Sequence, residues 1–156
     1  MSTDLPRVTE RTSGPTVKQF SVFLQNRVGA LLEIVKLLNA NNIQVIALNS
    51  QDSTDSAIVR IIASDPESVE DLFDLNEVAY SISEVLVVEM KEVATDLKRV
   101  LQSLLMAEVN IHVCYPILIR PYGRAAMALH VDDQDCSCSV LAGEGFKILN
   151  QADLSR

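Results

Sequence analysis

The chain repeats its own apolar pattern, and no other feature restricts its fold so strongly. A shift of 66 residues places Leu24 on Met90, Leu31 on Leu97, Ile34 on Val100, Val35 on Leu101, Leu38 on Leu104 and Val45 on Ile111. Later in each copy the shift becomes 68, which sets Val59 on Met127, Ile61 on Leu129, Asp65 on Asp133, Leu72 on Val140 and Val78 on Phe146. Two extra residues in the 116–123 region account for the change. Two copies are too few, and the repeat is too long, for a solenoid, so the pattern indicates a duplicated small domain mixing strands and helices.

Each copy carries the same run of elements. Residues 17–24 alternate in the manner of a half-buried strand. Leu31, Ile34, Val35 and Leu38 then fall at helical spacing, and Asn41-Asn42 tolerates the left-handed backbone that ends a helix. Residues 43–48 and 57–63 are rich in branched apolar side chains around a polar turn at 50–55, which predicts a hairpin. Asp65-Pro66 opens a second helix with Val69, Leu72 and Phe73 as its buried stripe, and residues 78–82 complete a β-α-β-β-α-β unit. The join near Ser83-Glu84 has no linker, so the two units are expected to lie close together. Residues 1–16 are polar, contain Pro6, Gly14 and Pro15, and read as a flexible leader. The expected divisions are therefore 1–16, 17–83 and 84–156.

Charge and cysteine usage narrow the function. With 21 acidic against 13 basic residues the net charge is −8, which disfavours nucleic acid and anionic membrane surfaces as partners. Three cysteines, Cys114, Cys136 and Cys138, make an odd set with two only one residue apart, so a disulfide framework is not expected and a reducing cytoplasm fits. No apolar run is long enough for a bilayer and no signal core opens the chain.

The turn between the first strand and first helix, Asn26-Arg27-Val28-Gly29-Ala30-Leu31-Leu32, is the candidate binding element. A glycine just before a helix allows a tight turn, and the first amides of the helix point outward with the positive end of its dipole. That geometry suits a small carboxylate. Asn26 is able to accept from an ammonium group, Arg27 to pair with a carboxylate, and the amides near Gly29 and Ala30 to hold its oxygens. The corresponding turn of the second copy reads Glu92-Val93-Ala94-Thr95-Asp96-Leu97, with Thr95 in the place of Gly29. Threonine is strained at positive φ, so this turn is expected to take another path, with Thr95 as N-cap, and to bind weakly or not at all.

The first turn resembles the motif of the ACT domain family, which places an acidic or amide residue, a variable pair, then Gly, a small residue and Leu at this junction. Residues 17–82 fit that pattern throughout, and 85–154 fit it in strand order. The pair without a catalytic segment is also similar to small tandem ACT proteins of bacteria. The resemblance implies an α+β fold of two ferredoxin-like units with antiparallel sheets, joined side by side into a larger sheet with helices on one face. It further implies a non-catalytic, amino-acid-binding regulatory protein without a cofactor, its ligand held by Asn26, Arg27, Val28, Gly29, Ala30 and Leu31. Asn49, at the end of the second strand, is a candidate from the adjoining wall. A homodimer is expected from exposed sheet edges, and a regulated protein partner is the natural recipient of the signal.

Other residues have plainer readings. Cys136-Ser137-Cys138 lies on a predicted helix with no second pair at zinc-site spacing. His112 and His130 fall on predicted strands, and Arg120-Pro121-Tyr122-Gly123-Arg124 is first of all a hairpin turn. Sequence patterns for a nucleophile elbow, a phosphate loop or a zinc protease are missing. With 4% aromatic residues and an acidic balance the chain does not fit an RNA-binding sheet. The rival reading is a purely structural dimerisation module in which the turn binds nothing.

Overall fold

The structure, a computed structural model, describes residues 15–25 and 28–155. These form β1 (Val17–Gln25), α1 (Ala30–Ala40), β2 (Val45–Asp52), β3 (Ser56–Ala63), α2 (Pro66–Leu75) and β4 (Tyr80–Met90), followed by α3 (Val93–Met106), β5 (Ile111–Pro116), β6 (Ala125–Val131), α4 (Gln134–Gly143), β7 (Ile148–Leu149) and α5 (Gln151–Leu154). The strands make one seven-stranded antiparallel sheet in the order β2-β3-β1-β4-β6-β5, with β7 also on β4. The fold is α+β, with the β-α-β-β-α-β order written twice.

Local chemistry repeats with the apolar pattern. Asp65 caps α2 by accepting from the Ser68 N–H at 3.2 Å, and Asp133 caps α4 by accepting from the Cys136 N–H at 3.0 Å. The four long helices end alike: the N–H groups of Ile43, Val78, Val109 and Phe146 donate back to the carbonyls of Leu38, Phe73, Leu104 and Leu141. Each such ending turns on a left-handed residue, respectively Asn42, Glu77, Glu108 and Gly145.

Strand β4 passes through Ser83-Glu84 without a break and belongs to both halves. Its residues 80–85 pair with β1, while 86–90 pair with β6. Tyr80 packs with Phe20 and Phe73 beneath α1 and α2, and Leu86 and Val88 pack beneath α3 and α4. These side chains are an even number of residues apart, so all four helices cover the same face of the sheet. The odd-numbered Val85 and Val87 point the other way, into a third core.

That third core forms because the sheet curls on itself. Val17, Ile46, Ala47 and Ile62 of the first half pack with Tyr115, Ile117, Ala126 and Ala128 of the second. Where the two outer strands meet, the Leu118 N–H donates to the Ile46 carbonyl at 2.7 Å, and within the core the Tyr115 hydroxyl donates to the buried amide oxygen of Gln19. Burying one Val, Leu or Ile is worth about 1.5–3 kcal/mol, against about 0.5–1.5 for a net hydrogen bond. Apolar burial therefore holds the halves together, and the bonds set their register.

Candidate functional site

The turn into α1 is built on a backbone angle. Gly29 is the N-cap residue with φ 86°, and its carbonyl accepts from the Glu33 N–H at 3.0 Å to begin the helix. A Cβ added there would meet nothing within 4 Å, so the position needs glycine for its conformation and not for space. Among the described residues no side chain caps the helix start. Asn26 and Arg27 lie outside the described residues. Val28 is fully exposed, Ala30 is buried and Leu31 is 36% exposed.

Beside the turn is a cavity of about 200 Å³. Its walls are Leu24 and Gln25 from β1, Ala30 and Leu31 from α1, and Ser50, Gln51, Asp52, Ala57 and Val59 from the hairpin. The helix start supplies donors on one side and the polar end of β2 supplies acceptors on the other. A space below the usual range of about 300–1,000 Å³ suits only a small molecule. Asn49 stands apart: its Oδ1 accepts from Arg60 Nη1 at 3.2 Å, and it does not line the cavity.

Ser50, Gln51 and Asp52 were not legible as a wall. Sequence places them in a polar turn, whereas they continue β2 by pairing with β3, Ser50 opposite Val59 and Asp52 opposite Ala57. The ladder supplied by β3 satisfies a backbone that these side chains by themselves do not favour as strand. The alternation of Leu48, Ser50 and Asp52 was the available signal.

The second turn is built on a side chain. Thr95 is not the N-cap expected from sequence: α3 begins at Val93, Glu92 is the N-cap, and Thr95 lies inside the first helical turn. The reason is Asp96, which is 8% exposed and turns back over the junction. Its Oδ2 accepts from the N–H groups of Lys91 at 2.9 Å and Glu92 at 3.1 Å, and its Oδ1 accepts from Arg99 Nη1 at 3.2 Å. Arg99 is fixed in turn by the Glu144 carbonyl at 2.9 Å and by the Phe146 ring, 4.7 Å from the guanidinium carbon. The Glu92 N–H holds the Asp96 carboxyl below its ordinary pKa, burial opposes this, and the Lys91 N–H and Arg99 add to the lowering.

Residues 15–156 match the profile of a family described as an ACT domain pair. The chain belongs to that family. Protein BT0572 from Bacteroides thetaiotaomicron has a similar structure, with TM-score 0.82 and 28% identity over 90% of this chain and 96% of that one. The regulatory subunit of aspartate kinase from Thermus thermophilus, in its ligand-free form, gives TM-score 0.56 at 7% identity over 85% and 94% of the two chains. Its counterpart from Thermus flavus gives 0.54 at 9% identity over 83% and 93%. At these last identities the likeness is one of fold alone. No curated protein matches the chain.

The remaining motifs of this ACT pair sit as follows. Cys136 is half-buried and Cys138 buried on α4, and burial pushes the Cys138 thiol up. His112 and His130 lie with ring centroids 5.2 Å apart, and burial, then the charges of His112 and Arg60, hold His130 below its ordinary pKa. Among the described residues no group of three His, Cys, Asp or Glu is placed to hold a metal ion. Arg124, at the end of the Arg120 to Arg124 turn, donates to Glu89 at 2.9 Å. No helix among the described residues is long and apolar enough to cross a membrane.

Proposed function

We propose that this ACT pair is a non-catalytic regulatory protein that binds a free amino acid at the turn between β1 and α1. The observation that carries the reading is the helix start behind Gly29, which no side chain caps among the described residues, facing a small cavity whose far wall is polar. The ligand carboxylate takes the first amides of α1, and its ammonium takes the oxygens of Ser50 and Asp52, Gln51 Oε1 being held by Arg60 Nη1 at 3.2 Å. By the family resemblance Asn26 and Arg27 belong to the same site. Binding regulates only as far as the ligand prefers one arrangement of the chain or its partner over another.

The expected assembly is a homodimer in the cytoplasm that passes its signal to a partner protein. Odd residues of β4 face β1 and β7 through their backbone, as the bonds at Ala79 and Glu89 indicate, which leaves the even side of residues 80–84 without a paired strand among the described residues, the Glu84 carbonyl there accepting from Gln134 Nε2. Ile82, 37% exposed, is at the centre of that edge. Light scattering with and without ligand tests the assembly.

Thermal unfolding against a panel of free amino acids tests binding. A ligand at one hundred times its Kd stabilises the native state by about 2.7 kcal/mol, a rise in Tm of about 5–10 °C for a chain of this size. No shift with any member at millimolar concentration overturns the reading and leaves the dimerisation module in its place.

A further inference from the structure

The repeat that builds the fold is broken at one place on the inner face of the sheet, the face opposite the helices. In the first half Ile46, at the bulge of β2, and Ile62, on β3, are fully buried in the shared core. The shifts of 66 and 68 residues set His112 on Ile46 and His130 on Ile62. The bulge of β5 between Ile111 and Val113 turns His112 toward His130, and the two ring centroids stand 5.2 Å apart. Isoleucine serves the fold at both positions of the first copy, so packing alone does not account for two imidazoles in the second.

Arg60 of β3 reaches the same pair from the first half. It lies two residues from Ile62 and so shares the inner face. Its Nη1 donates to Asn49 Oδ1 and to Gln51 Oε1, both at 3.2 Å, which orients the guanidinium and leaves its other N–H groups without a bond among the described residues. Burial first, and then the charges of His112 and Arg60, hold His130 below its ordinary pKa, so both groups are within electrostatic reach of it. Among the described residues none of the three bonds to a carboxylate. The inner face around them is polar but uncharged: Gln19 and Ser21 on β1, paired with Ser83 and Ser81 of β4, and the Tyr115 hydroxyl of β5, which donates to Gln19. Asp132, just past β6, is taken by the Asn110 N–H at 3.1 Å and Nδ2 at 3.2 Å. In a chain of net charge −8, three basic groups without an acid mark a place that receives an anion.

We propose that Arg60, His112 and His130 bind a phosphate group, as inorganic phosphate or as the monoester of a small molecule. The remaining guanidinium N–H groups and the two protonated imidazoles donate to its oxygens. Three donor groups match a dianion with three free oxygens better than a carboxylate with two. The site is assembled from β3 of one half and β5 and β6 of the other, so a bound phosphate ties the halves together.

The test is isothermal titration of the full chain with inorganic phosphate and with glycerol 3-phosphate, at constant ionic strength, with acetate as the singly charged control. It is run on the parent, on Arg60→Gln, on the double variant His112→Ile with His130→Ile, and on Lys36→Gln. The double variant copies the first half, and a Tm no lower than the parent's verifies its fold; Arg60→Gln decides the matter if that variant is destabilised. Lys36 is exposed on α1, across the sheet from the site, and its variant removes one positive charge elsewhere. The expected result is saturable binding of one or both phosphates, weakened at least about tenfold, or about 1.4 kcal/mol, in Arg60→Gln and in the double variant and kept in Lys36→Gln. The tighter of the two probes identifies the free anion or the ester as the better ligand. Phosphate should also move the His130 C2–H NMR titration to higher pH, because a nearby anion favours the charged imidazole. Absence of saturation in the parent, equal affinity for acetate, equal weakening in Lys36→Gln, undiminished binding in Arg60→Gln or in a folded double variant, or an unmoved His130 titration overturns the site.

Discussion

The turn from β1 into α1 and the turn from β4 into α3 hold equivalent places in the two halves, yet they are stabilised by opposite means. The first depends on a backbone angle at Gly29, and among the described residues no side chain caps its helix start. The second depends on Asp96, whose carboxylate occupies the N–H groups of Lys91 and Glu92. By the 66-residue shift Asp96 stands where the first half has Ala30. One substitution, from a methyl to a carboxylate, supplies internally the anion that an open turn would take from solution. The comparison teaches that a missing glycine is only half of the second turn's change; the other half is an added ligand of its own.

Removing that internal ligand should produce the largest effect. Asp96→Ala leaves two N–H groups and Arg99 without their acceptor, and the expected loss is about 5 °C or more in Tm by calorimetry. A variant as stable as the parent would show that water serves these groups equally well.

Gly29→Val attacks the first turn instead. With no atom near the added Cβ, its cost is the left-handed angle alone, about 1–2 kcal/mol or roughly 2–8 °C in Tm. Any amino-acid stabilisation that arises at the first turn should vanish with it, and a retained response would move that ligand elsewhere.

Acid should separate the turns further. Asp96 has a folded-state pKa below the ordinary 3.8 of the unfolded chain, so its contribution is complete above about pH 4 and is lost as pH falls through the lowered value. Urea midpoints measured from pH 5 to pH 2.5, about the window of this linkage, should fall less steeply in Asp96→Asn than in the parent. Asp65, lowered by the Ser68 hydroxyl and N–H, titrates in the same direction and remains in both proteins as an internal reference. Equal slopes would remove Asp96 from the acid response.

Thr95→Gly is the mildest change. Thr95 lies within α3, so glycine costs about 0.3–0.5 kcal/mol of helix propensity, roughly 1–2 °C in Tm. It should not open the turn to ligands, because Asp96 still fills it. Ligand stabilisation gained by this variant alone would make Thr95, not Asp96, the residue that closes the site.

Much of this was legible in the residue order. The alternation and helical spacing of the apolar residues, the Asp65 and Asp133 caps and the Asn42 ending are governed by contacts within a few positions, so they specify the elements of both units locally. The need for glycine at position 29 was equally readable, because φ 86° is a property of one residue. What the sequence alone could not supply depends on groups that meet from far along the chain. The curl of the sheet packs Ile46 with Ala126 and sets Tyr115 against Gln19. Pairing with β3 extends β2 to Asp52 and so builds the wall of the first cavity. The juxtaposition of Arg60, His112 and His130 required β3, β5 and β6 to converge. Periodicity decided which faces are apolar; only the tertiary structure decided which faces close on each other, because burial energy is non-directional and the choice falls to twist, register and shape.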